Sequence, residues 1–470
     1  MQRVNVSKSV PLGLSGVNVA VIGLGASGVA AARLAIAKGG EVYVSDSRTD
    51  DAIAARGADL RMVGIDVEVG GHTIERLARA GIVVASPGIP PDAPVLRALA
   101  ERGVRWISEP EFASRFLPGS LIAITGTNGK TTTTLLVDHL LRASGIRSVA
   151  GGNVGGGLAP PASDLARGVE PADWVVLEMS SFQLAGVETF RPDIGVVTNL
   201  SPDHLDRYSG VDEYYADKAR LFENATADSV WVLPAGDQTI QALAGPAPGE
   251  RFYFGPGPNS NAFVDRGILT LRVGGDVEPL LPVAEFPLFG AHNLENALAA
   301  SLVAYLAGAE AGGITAGLGS VRALPHRLEP VSDRGDVFWV NDSKATNLAA
   351  TRSAITSFNR PLVLLLGGKD KGEDFADLVP LLLGRVRIVL AYGAAGPRIA
   401  RELVAALPGE GSVPDIELVE GGLDRVVARA ASMAIQGDIV LLSPACSSFD
   451  MYESYEHRGR HFALLAREAA

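Results

Sequence analysis

The hydrophobic positions of this chain form short apolar runs that alternate with helical stretches over three successive regions. In the first region, a run at 19–22 leads into a glycine-rich turn, an Ala-rich helical stretch and a second run that ends at Asp46. That order predicts a β-α-β unit. Further strands are predicted at 81–85 and 104–107. We place the end of this domain at residue 108, giving a first domain at 1–108.

The second region predicts another α/β domain, at residues 109–324. An apolar strand at 120–124 runs into the loop 125–131, and an amphipathic helix follows to about residue 143. Shorter alternating stretches, rich in Gly and Pro, predict small strands and turns at 244–282. The remaining predicted elements are strands at 174–177 and 194–198 and a helix at 293–309.

After residue 325 the pattern starts again, and strands alternate with helical segments to the end of the chain. This alternation predicts a third, doubly wound α/β domain at 325–470. Its predicted strands are 337–341, 362–366, 388–392, 416–419 and 439–442.

The length and composition agree with a chain of several domains and argue against some classes of partner. The 470 residues exceed the roughly 250–300 at which one hydrophobic core stops growing. The net charge of −12 argues against a nucleic-acid partner. The single cysteine cannot form an internal disulfide, and the chain shows neither a signal-peptide pattern nor an apolar run of membrane-spanning length. We therefore expect a cytoplasmic monomer without a membrane partner.

The glycine-rich turn of the first domain has the spacing Gly23-x-Gly25-x-x-Gly28 and is followed by Asp46. Glycines at these positions allow backbone N–H groups at a helix start to approach a pyrophosphate. Alone, the pattern would suggest an NAD-dependent oxidoreductase, a UDP-sugar site, or a tight turn that binds nothing.

The loop 125–131 lies between a predicted strand and a predicted helix, where a phosphate-binding loop belongs. Lys130 can reach the β- and γ-phosphates and Thr131 can reach Mg²⁺, although Ile124 replaces the first glycine of the general pattern. The loop therefore predicts that the protein uses ATP.

Acidic and imidazole groups follow the next two strands of this domain. Glu178 ends one strand, and Asp203, His204 and Asp206 come just after another. Oxygen and imidazole ligands beside a phosphate loop suit Mg²⁺, although each alone would more often be structural. Lys218, judged without its context, would be a solvated surface charge.

Several ordered segments resemble the Mur ligase family over essentially the whole chain: AITGTNGKTT at 123–132, LEMSSFQL at 177–184, DHLDRY at 203–208, HNLEN at 292–296 and LPHR at 324–327. Three more resemble the family member that adds D-glutamate: IGLGASG at 22–28, NDSKATN at 341–347 and LSPACSS at 442–448. The resemblance implies an ATP-dependent ligase that joins D-glutamate to UDP-N-acetylmuramoyl-L-alanine in peptidoglycan synthesis. Another Mur ligase or a folylpolyglutamate-type ligase is the alternative.

The resemblance also implies roles for individual residues. The UDP-substrate contacts would be Ala26, Ser27, Asp46, Ser47, Gly88 and Asn153. The ATP contacts would be Gly126, Thr127, Asn128, Gly129, Lys130, Thr131, Thr132, Asn293, Asn296, Arg327, Asp342 and Lys344.

For the chemistry itself, the resemblance implies Lys130, Glu178, His204 and Lys218 as catalytic groups. Magnesium would be held by Thr131, Glu178, His204 and a carbamylated Lys218. The D-glutamate contacts would be Thr346, Lys371, Ser448 and Tyr455.

Overall fold

A computed structural model describes residues 13–90, 92–168, 171–203, 207–333, 336–409 and 413–469. It divides into two compact units, Met1–Phe286 with Glu295–Gly319, and Pro287–Leu294 with Ser320–Ala470. The described residues of the first unit form two sheets and those of the second unit form one. The predicted α/β fold class is confirmed.

The first sheet has five parallel strands in the order β3-β2-β1-β4-β5. The strands are β1 Asn18–Ile22, β2 Glu41–Asp46, β3 Asp66–Val69, β4 Ile82–Ala85 and β5 Ile107–Ser108, and the helices between them are α1 Ala26–Ala37, α2 Asp51–Met62, α3 Ile74–Ala78 and α4 Pro94–Ala100.

The predicted strand at 104–107 is wrong in its first three residues. The amide of Val104 donates to the carbonyl oxygen of Leu99 at 3.0 Å and so closes the end of α4 instead of joining the sheet. Only Ile107 and Ser108 pair with β4.

The second sheet has nine strands in the order β14-β13-β12-β11-β10-β9-β6-β8-β7. Its parallel part contains β6 Ser120–Thr125, β7 Ser148–Gly152, β8 Trp174–Glu178, β9 Ile194–Val197, β10 Val230–Pro234, β11 Glu250–Phe254 and β12 Ala262–Asp265. The last two strands, β13 Ile268–Val273 and β14 Asp276–Pro282, are antiparallel. They confirm the small strands predicted at 244–282.

The helices of this region are α5 Glu109–Ser114, α6 Lys130–Ala143, α7 Ala162–Arg167, α8 Ser181–Leu184, α9 Val211–Ala219, α10 Gln238–Ala244, α11 Ala291–Leu306 and α12 Ala311–Ser320. None of them, nor any other helix in the described ranges, is long and apolar enough to cross a bilayer.

The third sheet has the order β15-β16-β20-β17-β18-β19, and only its edge strand β15 is antiparallel. The strands are β15 Glu329–Ser332, β16 Phe338–Asn341, β17 Leu362–Gly367, β18 Val386–Tyr392, β19 Asp415–Leu418 and β20 Ile439–Leu442. The helices are α13 Leu348–Thr356, α14 Val379–Leu382, α15 Gly396–Ala406, α16 Leu423–Met433 and α17 Tyr455–Ala469.

Strand β17 shows why its sequence is apolar at every position. Leu362, Leu364 and Leu366 belong to the core on one face of the sheet, whereas Val363 and Leu365 belong to the core on the other. Parallel sheets covered by helices on both faces require such continuous apolar runs.

Candidate functional site

The predicted phosphate loop of the first unit lies at the carboxyl end of β6, which lies between the parallel strands β9 and β8. Because β7, β8 and β9 run in the same direction, the residues that follow all four strands lie at one edge of the sheet. The loop spans 126–129, and α6 begins at Lys130. The crevice outside such strand ends is where α/β sheets bind ligands.

Three side chains of this edge form one connected group, and Lys130 lies on the loop beside it. Thr131 donates a hydrogen bond from Oγ1 to Glu178 Oε2 at 2.7 Å, and Asn153 Nδ2 donates to Glu178 Oε1 at 3.1 Å. Lys130 Nζ donates to the carbonyl oxygens of Gly126 and Thr127 at 3.0 and 2.8 Å. The ammonium therefore lies over its own loop, where a phosphate could exchange with these two acceptors.

Two glycines let the loop pack closely on its surroundings. Gly126 has φ +142°, and a Cβ atom there would lie 2.0 Å from Thr198 Oγ1. Gly129 has φ +81°, and a Cβ atom there would lie 2.3 Å from Asn296 Oδ1. Neither position can carry a side chain without movement of these neighbours.

The loop is also held by residues that the sequence analysis did not identify. The backbone N–H of Asn128 donates to Asn199 Oδ1 at 2.9 Å, and the carbonyl oxygen of Asn128 accepts from Thr198 Oγ1 at 2.6 Å. Thr133 Oγ1 donates to Asn296 Oδ1 at 3.2 Å, which places Asn296 against the first turn of α6. The position of Thr198 at the end of the predicted strand 194–198, with Asn199 directly after it, was the available signal.

Lys218 is buried, with 1% of its surface exposed, so its interpretation as a surface charge is wrong. Its Nζ donates to the carbonyl oxygen of Gly126 at 2.7 Å, the same oxygen that accepts from Lys130. Burial lowers the pKa of Lys218 well below its usual value and the charge of Lys130 lowers it further, against the opposite effect of nearby carboxylates. The amine is therefore close to the loop and easily deprotonated.

The amino-terminal sheet carries a separate cavity of about 620 Å³. Its walls include all five residues of this domain that the resemblance assigns to the UDP part of the substrate: Ala26, Ser27, Asp46, Ser47 and Gly88. Asn153 is not among its lining residues but contacts Glu178. The binding roles of these residues stay predictions.

The three glycines of the glycine-rich turn lie in three different structural environments. Gly23 turns the chain with φ +100°. A Cβ atom at Gly28 would lie 1.9 Å from the carbonyl oxygen of Gly23, so α1 could not pack with a larger residue there. A Cβ atom at Gly25 would meet nothing within 4 Å and would point into open space at the cavity wall.

Asp46 fixes the glycine turn from the end of β2. Its Oδ2 accepts from the backbone N–H of Leu24 at 2.7 Å and from Arg48 Nη2 at 2.8 Å. Burial alone would raise the pKa of Asp46, but the hydrogen bonds from Arg48 and Leu24 outweigh it and lower the pKa to about 2. Arg48 also lines the cavity and adds a cation that the sequence analysis missed.

In the second unit, β16, β20 and β17 are adjacent and parallel, so the segments 342–347, 443–448 and 367–371 lie at one edge of the third sheet. Asp342 is buried there and accepts from Ser443 Oγ at 2.9 Å and from the backbone N–H of Leu328 at 3.2 Å. Burial raises the pKa of Asp342 to about 7, against these hydrogen bonds and the charge of Arg327.

Thr346, Ser448 and Lys371 belong to these three segments. The backbone of Tyr455 accepts from Ser343 Oγ, whereas Asn293 contacts Phe289, whose ring packs on Phe338 at the start of β16. Lys344 Nζ lies 4.1 Å from the ring centroid of Tyr455, and the backbone of Ser448 accepts from the amide of Tyr452 at 2.8 Å. Thr346 is half-buried and Lys371 is exposed. Asn293, on α11, donates from Nδ2 to the carbonyl oxygen of Phe289 at 2.7 Å.

One residue that holds this edge together was missed. Arg458 is fully buried on α17 and binds oxygens from all three segments. Nε donates to Ser343 Oγ at 2.9 Å, Nη2 donates to the carbonyl oxygens of Ser343 and Cys446 at 2.9 and 3.1 Å, and Nη1 donates to those of Gly367 and Ser447 at 3.4 Å each. An isolated arginine in a helical pattern gives no such signal.

The predicted metal ligand His204, together with Asp206, lies outside the described residues. Cys446 is buried, and burial raises the pKa of its thiol to about 12, which is typical of a packed side chain and not of a nucleophile.

Fold and site together define a multidomain α/β protein with a glycine-turn cavity and a phosphate-binding loop. Three domain models of one protein family match successive parts of the chain. Residues 17–108 match the Mur ligase MurD-like N-terminal domain, residues 124–304 the Mur ligase middle domain, and residues 326–446 the Mur ligase glutamate ligase domain. The chain belongs to the Mur ligase family. The oxidoreductase alternative for the glycine turn is thereby set aside.

Two relatives of similar length carry the same name. The UDP-N-acetylmuramoylalanine–D-glutamate ligase of Acidobacterium capsulatum is 43% identical over 456 residues, which cover 96% of each chain. The protein of the same name from Salinibacter ruber is 41% identical over 459 residues, covering 95% of this chain and 96% of that one.

Solved structures agree in fold. The UDP-N-acetylmuramate–alanine ligase of Thermotoga maritima has a TM-score of 0.58 at 18% identity and covers 97% of this chain and 100% of its own. A MurF ligase from Thermotoga maritima in complex with ADP has a TM-score of 0.58 at 14% identity, covering 93% and 90%.

Proposed function

We propose that this enzyme joins D-glutamate to UDP-N-acetylmuramoyl-L-alanine in peptidoglycan synthesis, at the expense of ATP. An oxygen of the L-alanyl carboxylate attacks the γ-phosphorus, ADP leaves, and the amine of D-glutamate then displaces phosphate from the acyl carbon and loses a proton. The observation that carries the proposal is the Thr131–Glu178 hydrogen bond beside the Lys130 ammonium on its loop, at the ends of β6 and β8, in a chain whose full-length relatives carry this name.

The ATP part of the site rests on the loop 126–129 and Lys130. The ammonium already has two carbonyl acceptors, so it can turn from them to the phosphates without first being desolvated from bulk water. Cations placed in advance at the phosphoryl oxygens stabilise the charge that develops during transfer. Asn296 keeps the first turn of α6 in place through Thr133.

Magnesium fits the oxygen groups beside this loop. A hydroxyl and a carboxylate are hard ligands of the kind that Mg²⁺ prefers, and Thr131 and Glu178 are already in contact. These two residues would hold the ion, and Asn153 would orient the carboxylate. When bound, magnesium neutralises phosphate charge.

Lys218 is proposed to be carbamylated. A neutral amine attacks carbon dioxide at carbon and loses one proton, which leaves a carbamate anion in place of an ammonium. Burial and the charge of Lys130 favour the neutral amine that this reaction needs. A carbamate could bind a hard cation that an ammonium would repel.

The two substrates are proposed to use different regions. The cavity of the amino-terminal sheet would take the UDP group, with the backbone at Gly25 open to a pyrophosphate. In the second unit, Thr346, Lys371, Ser448 and Tyr455 would contact D-glutamate. Asn293, Arg327, Asp342 and Lys344 would contact ATP. We further propose that the enzyme acts as a cytoplasmic monomer.

A single assay tests the reaction. Phosphate release is measured with ATP, magnesium, UDP-N-acetylmuramoyl-L-alanine and one amino acid from a panel of D-glutamate, L-glutamate, L-alanine, L-lysine and diaminopimelate. We expect turnover with D-glutamate and much poorer turnover with L-glutamate. Preference for another amino acid would instead indicate a different Mur ligase, and activity on a folate would indicate a folylpolyglutamate-type ligase.

A further inference from the structure

A second cavity, of about 670 Å³, lies in the unit that contains the third sheet. It is formed by the start of α16, the loop before α17 and one face of α17. None of its lining residues has a role in the reaction proposed above.

The face of α17 that lines this cavity carries one guanidinium and two imidazoles. His457, Arg460 and His461 follow one another at spacings of three and one, and Leu464 comes three residues later, so all four lie on the same side of the helix. Burial is not the reason for this pattern, because His457, Arg460 and Leu464 are exposed.

Tyr452 contacts both imidazoles and is hydrogen-bonded to one of them. Its hydroxyl lies 2.7 Å from His461 Nδ1, and its ring centroid lies 5.3 Å from that of His457 and 5.8 Å from that of His461. Burial raises the pKa of Tyr452 to about 12, so the phenol is neutral at physiological pH. When the phenol donates to Nδ1, Nε2 of His461 carries the proton and is a donor.

Charge and surface chemistry together restrict the ligand. The lining contains one arginine and two imidazoles against a single carboxylate, that of Asp424. Leu423, Met451 and Leu464 supply apolar wall beside these donors. The Arg460 guanidinium and the two imidazoles can donate hydrogen bonds to one ligand, and the apolar wall beside them in this open depression can contact its body.

We propose that this cavity binds a small organic anion, with its phosphate or carboxylate group on His457, Arg460 and His461 and its apolar body against Leu423, Met451 and Leu464. Two of its lining residues, Met451 and Tyr452, lie between Ser448 and Tyr455, but the site requires neither Ser448 nor Tyr455. Its existence therefore does not depend on the proposed ligase reaction.

The test uses the full chain and the ring signals of its histidines in ¹H–¹³C NMR spectra. His457→Gln and His461→Gln assign the two signals. Phenyl phosphate, benzoate and inorganic phosphate are then titrated separately. We expect saturable movement of both signals with phenyl phosphate or benzoate, the tighter of the two identifying the anionic group, and weaker binding of inorganic phosphate because it lacks an apolar body.

Arg460→Ala should weaken this binding about tenfold, as the loss of a charge-assisted hydrogen bond does. Arg467→Ala, an exposed arginine further along α17 that does not line the cavity, is the matched control and should leave it unchanged. The proposal is overturned if both signals stay still or drift without saturation, or if the two arginine variants bind equally well.

Discussion

The phosphate loop of the first unit and the strand-end segments of the second differ in how they use their cations. In the loop, Lys130 and Lys218 share one acceptor, the carbonyl oxygen of Gly126. In the second unit, Arg458 binds oxygens from three separate segments. The two lysine amines both bind backbone oxygens of one loop, whereas the arginine binds backbone of three separate segments. A cation of the first kind lies where a bound phosphate could meet it, and one of the second kind connects parts of the fold.

The largest expected effect comes from removing Lys130, the cation of the loop. Lys130→Ala should lower turnover by about 10²–10³-fold, because comparable electrostatic contacts to a reacting group contribute about 3–4 kcal/mol. Phosphate release measures turnover, and thermal unfolding should show a nearly unchanged midpoint. Lys130→Arg retains the charge but not the compact ammonium, and it should recover little activity. Near-normal turnover of the alanine variant would mean that residues 126–129 form only a turn.

Removing Arg458 should instead lower the stability of the fold. Arg458→Met leaves the carbonyl oxygens of Ser343, Cys446 and Gly367 without their donor, and should lower the free energy of unfolding by about 3 kcal/mol. Denaturant unfolding measures this loss. Arg467→Met, on the exposed part of the same helix, should change stability by less than about 0.5 kcal/mol. Equal stability of the two variants would remove the distinction between the two kinds of cation.

Lys218 tests whether the second cation of the loop becomes an anion. Lys218→Ala should lower turnover at least roughly tenfold, the smaller end of what loss of a metal-orienting group costs. Acetate or another short carboxylic acid should restore part of the activity by supplying the missing carboxylate. Lys218→Arg keeps a positive charge, cannot be carbamylated, and should be inactive with or without acetate. Full activity of the alanine variant without added acid would refute the carbamate.

The sequence predicted the loop far better than the scaffold. Strand, loop and helix at 120–143 were expected from apolar runs and a glycine-lysine motif, and the structure has β6 and α6 at these residues. Arg458 could not be predicted, because arginine is usually exposed and its partners are backbone oxygens far away in sequence. The interpretation of Lys218 as a surface charge, which ignored the family resemblance, was wrong for the same reason. Local pattern identifies elements and loops, whereas burial of a charged group depends on tertiary neighbours.

The smallest expected effect concerns a buried acid that carries no proposed chemistry. Glu109, on α5, is buried and accepts from the backbone N–H of Ser163 at 2.5 Å. Burial raises its pKa to about 7, against its hydrogen bonding to Ser163. Because the folded-state pKa is raised, its contribution to stability is complete at pH values below its ordinary pKa and is lost as the pH rises through about 7.

Glu109→Gln should therefore unfold at a higher temperature than the wild type at pH 8, by about 1–2 kcal/mol in stability, and the difference should shrink towards pH 4. Melting curves across this pH range measure it. Glu101→Gln, an exposed neighbour in sequence, should show no such trend. A constant difference at every pH would mean that the pKa of Glu109 is the same in the folded and the unfolded protein.

Alanine substitutions at Gly25 and Gly28, three residues apart, would cause two different kinds of defect. An added methyl group at Gly28 strikes the backbone of Gly23, so an alanine allele there would reduce the amount of protein in the cell. At Gly25 the backbone has φ −69° and a methyl group meets no protein atom, so an alanine allele would leave the protein at normal abundance with a cavity wall altered by one carbon. The first allele would be suppressed by raising expression or lowering temperature. The second would resist both, and would respond only to more substrate.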